Sequence, residues 1–328
     1  MRRLTLKNLL ARKVRLIMST LSIVLGVGFL TGVLTFSNGL QSTFDGIIEG
    51  STSDGLVRAK GAESFADQGP SSNVALTPAD VERIKQVPEV KDSYANVEGM
   101  GMYLLDPDKK LVGGTGAPTI AFNQTDALNL AGEPALLIEK GTWPTKPGEI
   151  AIDAGSAERA GYEIGDTVSF IPPFAKPPIA EATLVGTANF NGGGTAGATL
   201  VIFDTKGAQQ IFLNGKDAFT SVSLTAADGV SQKQLVSAVK KVLPEQFTAV
   251  TGDTVVEESK ASVGQFLSII TQFLIVFALI AIVVGAFIIA NTFNILVAQR
   301  VRELALLRAL GASRRQVTRS VLLEAFVM

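Results

Sequence analysis

Two stretches without a single charge decide what this chain can fold into: Leu16 to Phe36, 21 residues, and Phe266 to Leu296, 31 residues. About 20 apolar residues rising about 1.5 Å each cross the hydrocarbon core of a bilayer, so both are long enough to span one as helices. A cleaved leader fits the first poorly. Its apolar run exceeds the roughly 7–15 residues of a signal peptide. A buried core helix fits the second no better, given its 31 uncharged residues. At about 46 Å that helix outruns one bilayer and is expected to rise above it as a stalk.

Charge fixes the orientation. The net charge of −1 is made of +6 over residues 1–15, −11 over the middle and +4 over residues 297–328. Basic residues near the ends of spans stay on the cytoplasmic side, so both flanks are expected inside. Five segments are expected: an interfacial helix over 1–15, with Leu4, Leu6, Leu9, Leu10 and Val14 set among cations on membrane lipids; a membrane helix over 16–37; an extracytoplasmic domain over 38–264; a second membrane helix over 265–297; and a cytoplasmic element over 298–328. The outer segment is long enough to bury a core or two. Cys and His are both absent, which excludes disulfides, thiolate or imidazole metal sites and Cys–His nucleophiles.

Within the first span Gly28 and Gly32 form a GxxxG step, and Ser22 and Gly26 a looser one; the second span offers Ala281/Gly285 and Ala286/Ala290. Small residues at this spacing let helix backbones approach in lipid. Gln272, Asn291 and Asn294 are costly against lipid and are expected to face other helices or headgroups.

The outer segment alternates between strand and helix patterns. Leu56–Ala59 reads as a short strand; Thr77 caps a helix that starts at Pro78 and runs to about Val87, and Val90–Leu105 has strand character. Ala218–Ala226 reads as a strand, Ser231 with Gln234 makes a capping box for a helix to Leu243, and Phe247–Thr251 is again a strand. Two β-α-β halves so placed predict one ferredoxin-like split βαβ core. Between them residues of about 106–217, rich in Gly and Pro, predict a β-rich inserted subdomain with short runs at Glu149–Asp153, Thr167–Ile171, Ala182–Val185 and Ala198–Phe203. The fold class is thus membrane α-helical plus an α+β extracytoplasmic domain.

No catalytic constellation emerges. Asn191–Gly197 lacks the Gly-Lys-Ser/Thr of a phosphate-cradling loop and reads as a flexible loop, with Gly113–Gly116 a turn. Asp106/Asp108 and Glu257/Glu258 read as solvated carboxylates. Asn123-Gln124-Thr125 fits a glycosylation acceptor, a pattern frequent by chance. The segment after the second span differs. Leu304, Leu307 and Leu310 lie at helical spacing with Arg300 and Glu303, Gly311 stands where that helix ends, and Ser313 with Gln316 caps another carrying Val317, Val321 and Leu322. Two readings fit: an amphipathic helix drawn to anionic lipid by its arginines, or an elbow that docks a protein.

At these residues the chain resembles the FtsX/MacB-like family of ABC-transporter permeases. The family's cytoplasmic element is matched by Arg300, Arg302, Glu303, Ala305, Leu307, Arg308, Ala309, Gly311, Ala312, Ser313 and Gln316. Gly141-Thr142-Trp143-Pro144 through Asp153, then Gly161 through Val168, is similar to its extracytoplasmic core, and Asn8 through Lys13 to its opening. The resemblance implies a bacterial cell-membrane permease that dimerises with a second copy or half and docks on a separate ATPase through Arg302, Glu303, Leu307, Arg308, Leu310, Gly311, Ala312 and Ser313. ATP is then bound by the partner; no cofactor, metal or nucleic acid is implied for this chain. Movement driven by ATP passes up the helices to the outer domain, and relatives export peptides or lipoproteins or activate cell-wall hydrolases. The family has at least four spans, so the stop at Phe326-Val327-Met328 leads us to expect a fragment. A two-span receptor shares this topology but needs an unbroken heptad or linker helix, which Gly311 interrupts. An anchored enzyme needs catalytic residues that are not visible.

Overall fold

A computed structural model of the chain describes residues 13–62, 74–113, 119–173, 179–191, 193–311 and 313–319. The expected interfacial helix falls on residues 1–12, outside them, save for Lys13 to Arg15, which already belong to the first membrane helix. The chain divides into two units, one formed by Leu40–Gln265 and one by the segments on either side. Helix α1 covers Lys13–Ser51 and is 39 residues long, about 58 Å. From it the chain passes through β1 (Gly55–Ala59), α2 (Pro78–Lys85) and β2 (Val90–Asn96). An excursion follows: β3 (Glu98–Gly99), β4 (Tyr103–Leu104), β5 (Thr119–Asn123), β6 (Leu136–Gly141), β7 (Glu149–Asp153), α3 (Ala154–Ala160), β8 (Thr167–Ile171), β9 (Ala180–Phe190), β10 (Thr199–Phe203) and α4 (Thr205–Phe212). The chain returns through β11 (Ser221–Ala226), α5 (Gln232–Lys240) and β12 (Phe247–Thr251) to α6 (Gly252–Ala309), 58 residues and about 87 Å long. Both long helices contain a segment long and apolar enough to cross a membrane, and both extend beyond the uncharged runs. No proline interrupts residues 13–51 or 252–309, so nothing ends the helices where the apolar run ends.

Within Leu40–Gln265 the strands form two sheets. The first has the order β12-β1-β11-β2 with every neighbouring pair antiparallel, which is the ferredoxin-like split βαβ topology. Helices α2 and α5 cover one face, where Val57, Val222, Leu224 and Ala249 bury against Ile84, Leu235 and Val239. Both helices start on capping boxes. Thr77 and Asp80 exchange bonds at the head of α2, and Ser231 and Gln234 do so for α5. The second sheet runs β3-β5-β10-β7-β9-β8-β4, with β6 added on β9. Its core holds Ile150, Ile152, Val168, Phe170, Leu184, Val201 and Phe203. The expected fold class is the one observed: two membrane-length helices flank a split βαβ core with a β-rich insertion.

One expected boundary moves. Val90–Leu105 is not a single strand: it breaks after Asn96, and β3 and β4 belong to the second sheet, so the insertion begins at Glu98 and not near residue 106. Two residues enforce the break. A side chain at Gly99 would collide with the Phe212 ring. Asn123 pins the crossing: its Oδ1 accepts from the Val97 amide at 2.7 Å, while its Nδ2 donates to the Ala95 carbonyl and to Thr205 Oγ1, both at 3.1 Å. At 3% exposure Asn123 is a structural pin and not an accessible glycan acceptor.

Just past the crossing, the Glu98 amide donates to Thr220 Oγ1 at 3.1 Å and its carboxylate accepts from Ser221 Oγ at 2.8 Å. Burial pushes the Glu98 carboxyl above the ordinary carboxylate range, and the Ser221 hydroxyl offsets only part of this. A raised folded-state value means that the folded state holds its proton longer. Its contribution to stability is full below the unfolded carboxylate value of about 4.3 and is lost as pH rises through the folded one. Glu98→Gln should therefore raise the melting temperature more at pH 7.5 than at pH 4.5. Equal shifts at the two pH values in a thermal unfolding series would contradict this.

Candidate coupling site

Strands β1 and β12 are hydrogen-bonded neighbours, in register from Gly55↔Thr251 to Ala59↔Phe247, and each is joined to a membrane helix. Helix α1 reaches β1 through Thr52–Asp54, and β12 passes into α6 with no linker at all. The Gly252 amide donates to the Asp54 carbonyl at 2.8 Å, and Asp54 Oδ2 accepts from the Ala226 amide at 2.9 Å. A side chain at 252 would collide with the Ser53 carbonyl, which is why glycine stands there. The Thr251 hydroxyl caps α6 by accepting from the Thr254 amide at 3.2 Å. Gln232 of α5 and Asp253 exchange two bonds, both 3.1 Å.

Arg58, on β1, is 4% exposed and pairs with Glu258 of α6 through both guanidinium nitrogens, Nη1 at 2.7 Å and Nη2 at 2.9 Å. Glu258 is therefore not the solvated carboxylate expected of the Glu257/Glu258 pair. Breaking a buried pair of this kind by removing one partner costs about 3–5 kcal/mol. Two residues on, Lys260 Nζ meets Glu49 of α1 at 2.6 Å, in a more exposed pair. Sequence reasoning missed these contacts. The available signal was a charge inside the strand Gly-Leu-Val-Arg-Ala, but its partner lies 200 residues away. The inserted subdomain also holds the end of α1: Ser53 Oγ donates to the Leu128 carbonyl at 2.6 Å and Asn129 Nδ2 to the Gly50 carbonyl at 3.1 Å. An open groove of about 650 Å³ lies between Leu130–Ala131 and the Val256 turn of α6.

In the flanking unit, Gly26 of α1 is buried, and Ile282 Cγ1 lies 3.3 Å from where its Cβ would stand. Eleven residues along, the hydroxyls of Ser37 and Thr271 are 2.8 Å apart. Eleven residues make about three turns, so the two contacts share one face of each antiparallel helix. Gly28 and Gly32 are exposed and, among the described residues, no atom outside their own helix backbone lies within 4 Å of a built Cβ; Ala281 is exposed and Gly285 is buried. The close approach between α1 and α6 thus runs through Gly26. Gly28 and Gly32 lie roughly 200° and 240° around the helix from it. Gln272 donates to Ser268 Oγ of its own helix at 3.3 Å, and Asn291 and Asn294 are exposed.

Residues 300–309 are the unbroken continuation of α6 and not a separate helix. The helix stops at Gly311, whose φ of +97° is the left-handed conformation that favours glycine and whose amide donates to the Arg308 carbonyl at 3.1 Å. Ser313 then caps the helical residues 314–319. Its amide donates to Gln316 Oε1 at 2.9 Å, and its hydroxyl accepts from the Gln316 amide at 3.3 Å. Leu310 is 84% exposed and Leu306 is 63% exposed one turn before it, with Arg308 and Ser313 also exposed. The side chains of Arg302, Glu303 and Leu307, and all of Ala312, lie outside the described residues. Leu306 was not singled out by spacing, because the expected stripe ran through Leu304 and Leu307.

A split α/β domain flanked by two membrane-length helices, one of which ends in a capped elbow, is an architecture open to a permease and to a two-span receptor alike, and kinship in sequence separates them. The sequence model of the MacB-like periplasmic core domain matches residues 16–242, and that of the FtsX-like permease C-terminal region matches residues 275–328. The chain belongs to this FtsX/MacB-like family of ABC-transporter permeases. It is 24% identical over 349 residues to the macrolide export ATP-binding/permease protein MacB of Brucella abortus, covering 98% of this chain and 49% of that protein. An uncharacterized ABC transporter permease protein of Mycobacterium tuberculosis is 27% identical over 194 residues, 58% of this chain and 21% of that one. The chain thus spans about half the length of the MacB relative. Similar solved structures include the periplasmic region of MacB from Actinobacillus actinomycetemcomitans, 15% identical with a TM-score of 0.42 over 64% of this chain and 94% of that one. The extracellular domain of the transporter YknZ from Gram-positive bacteria is 15% identical with a TM-score of 0.39, over 60% and 98%.

The elbow's geometry makes its own prediction. A β-branched residue at the left-handed position of Gly311 is penalised by about 1–2 kcal/mol. In Gly311→Val, amides of residues 308–317 should exchange with deuterium about 5- to 30-fold faster than in the parent full-length protein, with the rest of α6 unchanged. Identical exchange would mean that Gly311 does not set the elbow.

Proposed function

We propose that this chain is the permease portion of an ABC transporter whose ATP is bound by a separate ATPase subunit or domain, and that Arg302–Ser313 docks on that ATPase. Both ends of the helix pair face the cytoplasm, and Leu40–Gln265 stands outside. The permease works as a dimer with a second copy or half, embedded in membrane lipid, and catalyses no reaction itself. Its cargo is a peptide, lipoprotein or lipophilic compound moved outward; the macrolide in the name of the Brucella relative belongs to that protein. The observation that carries this reading is the length of α6: one helix runs from β12 to the capped elbow at Gly311. The break at Gly311, and the exposed leucines before it, support a compact docking knob over a continuous signalling helix of the receptor type.

Apolar anchors at an interface commonly cost about 2 kcal/mol or more when truncated, whereas exposed arginines cost little. Leu307→Ala combined with Leu310→Ala should weaken association with the ATPase in detergent at least tenfold, about 1.4 kcal/mol. Arg314→Gln with Arg315→Gln should leave association intact and change only the salt dependence of attraction to anionic membranes. The measurement is co-purification of the ATPase with the full-length variants. Unimpaired binding by the leucine pair, or loss confined to the arginine pair, would contradict docking through this knob.

A further inference from the structure

No linker separates β12 from α6: Thr251 ends the strand, Gly252 opens the helix, and glycine is the residue about which the backbone turns most freely. Six residues past it, about 9 Å along the helix, Glu258 takes both nitrogens of the Arg58 fork. Val57 points into the core beneath α2 and α5, so its neighbour Arg58 projects from the opposite face of the sheet, and there it is 4% exposed. Lys260 lies about 200° around α6 from Glu258 and turns the other way, to Glu49 of α1. Glu258 is thus the side chain by which α6, beyond its glycine, holds the strand that continues α1. A bidentate guanidinium–carboxylate pair fixes orientation as well as distance, which a single point charge does not.

We propose that Arg58 and Glu258 are positioning residues for the transport movement: they lock α6 to β1 beyond Gly252, so that a tilt of the helix is carried into the four-stranded sheet and is not lost as bending at the strand–helix joint. What drives the tilt rests on the transport reading above; the stiffness of the joint rests on geometry alone. The β1–β12 ladder already opposes lengthwise sliding, because a one-residue slip would reverse every side chain on the strand. Pivoting about Gly252 is the motion that the ladder leaves free; the Gly252–Asp54 and Gln232–Asp253 bonds hold the first turn of α6, and the Arg58–Glu258 pair holds the helix to β1 more than a turn further on.

The absence of cysteine allows a direct test by double electron–electron resonance. Spin labels at Ser262→Cys on α6 and Gln86→Cys beside α2, both exposed, report the angle between helix and sheet. In the full chain, alone and assembled with its ATPase, the distance distribution should be narrow and the same with and without trapped nucleotide. Glu258→Gln and Arg58→Gln should each widen it at least twofold, and Arg58→Lys should widen it less. Arg58→Glu with Glu258→Arg should restore the narrow width, a rescue that general destabilisation would not give. Should Arg58→Gln fail to fold, Glu258→Gln carries the test, since that side chain is 29% exposed. A parent distribution that is already wide or moves with nucleotide, or neutral variants that stay narrow, would overturn the lock. If no ATPase assembles, the transport reading falls, while the widths measured on the chain alone still decide the lock.

Discussion

The pairing of β1 with β12 is the constraint on which the rest of the chain depends. These strands lie at opposite ends of the outer segment in sequence and side by side in the sheet, and each is continuous with a membrane helix. A split βαβ core brings its first and last strands together, so inserting it between two spans delivers both helices to one sheet edge. A second pairing, of β2 with β11, explains how a domain of this size tolerates an insertion of more than 100 residues. Loop-closure entropy grows only slowly with length, and the insertion leaves and returns between β2 and β11, which are themselves paired.

The joins between the parts are polar, while the cores are apolar. Asn123 ties the first sheet to the second with bonds to Val97, Ala95 and Thr205. Arg58 and Glu258 tie the sheet to α6, and Ser53 and Asn129 tie the end of α1 to the insertion. Buried polar groups hold one geometry because leaving a partner unpaired is expensive, whereas apolar surfaces of similar shape can slide over one another. Polar pins at each junction therefore hold the parts of the domain in one geometry.

Much of this was legible in the sequence, and the illegible part follows one rule. Glu149–Asp153, Thr167–Ile171 and Phe247–Thr251 were bounded by turn residues and emerged as strands with those ends. Ser231 and Gln234 announced α5, and Gly311 with Ser313 and Gln316 announced the elbow. These are local signals. What escaped depends on residues distant in sequence. The break after Asn96 needs Phe212 and Asn123; Glu258 looks no different from Glu257 until Arg58 stands opposite; and only the α1–α6 packing selects Gly26 over the more regular Gly28/Gly32 step. The long helices continue past the uncharged runs, since hydropathy marks where lipid ends and not where a helix does.

Under the proposed topology the outer sheet and the elbow, joined by the single helix α6, lie on opposite sides of a membrane. Single cysteines at Lys85 on α2 and Thr318 beyond the elbow, both exposed, can be introduced into the otherwise Cys-free chain and treated with an impermeant maleimide. In intact spheroplasts the Lys85→Cys protein should label and Thr318→Cys should label only after permeabilisation. Labelling of Thr318→Cys from outside, or equal labelling of both positions before permeabilisation, would contradict the account.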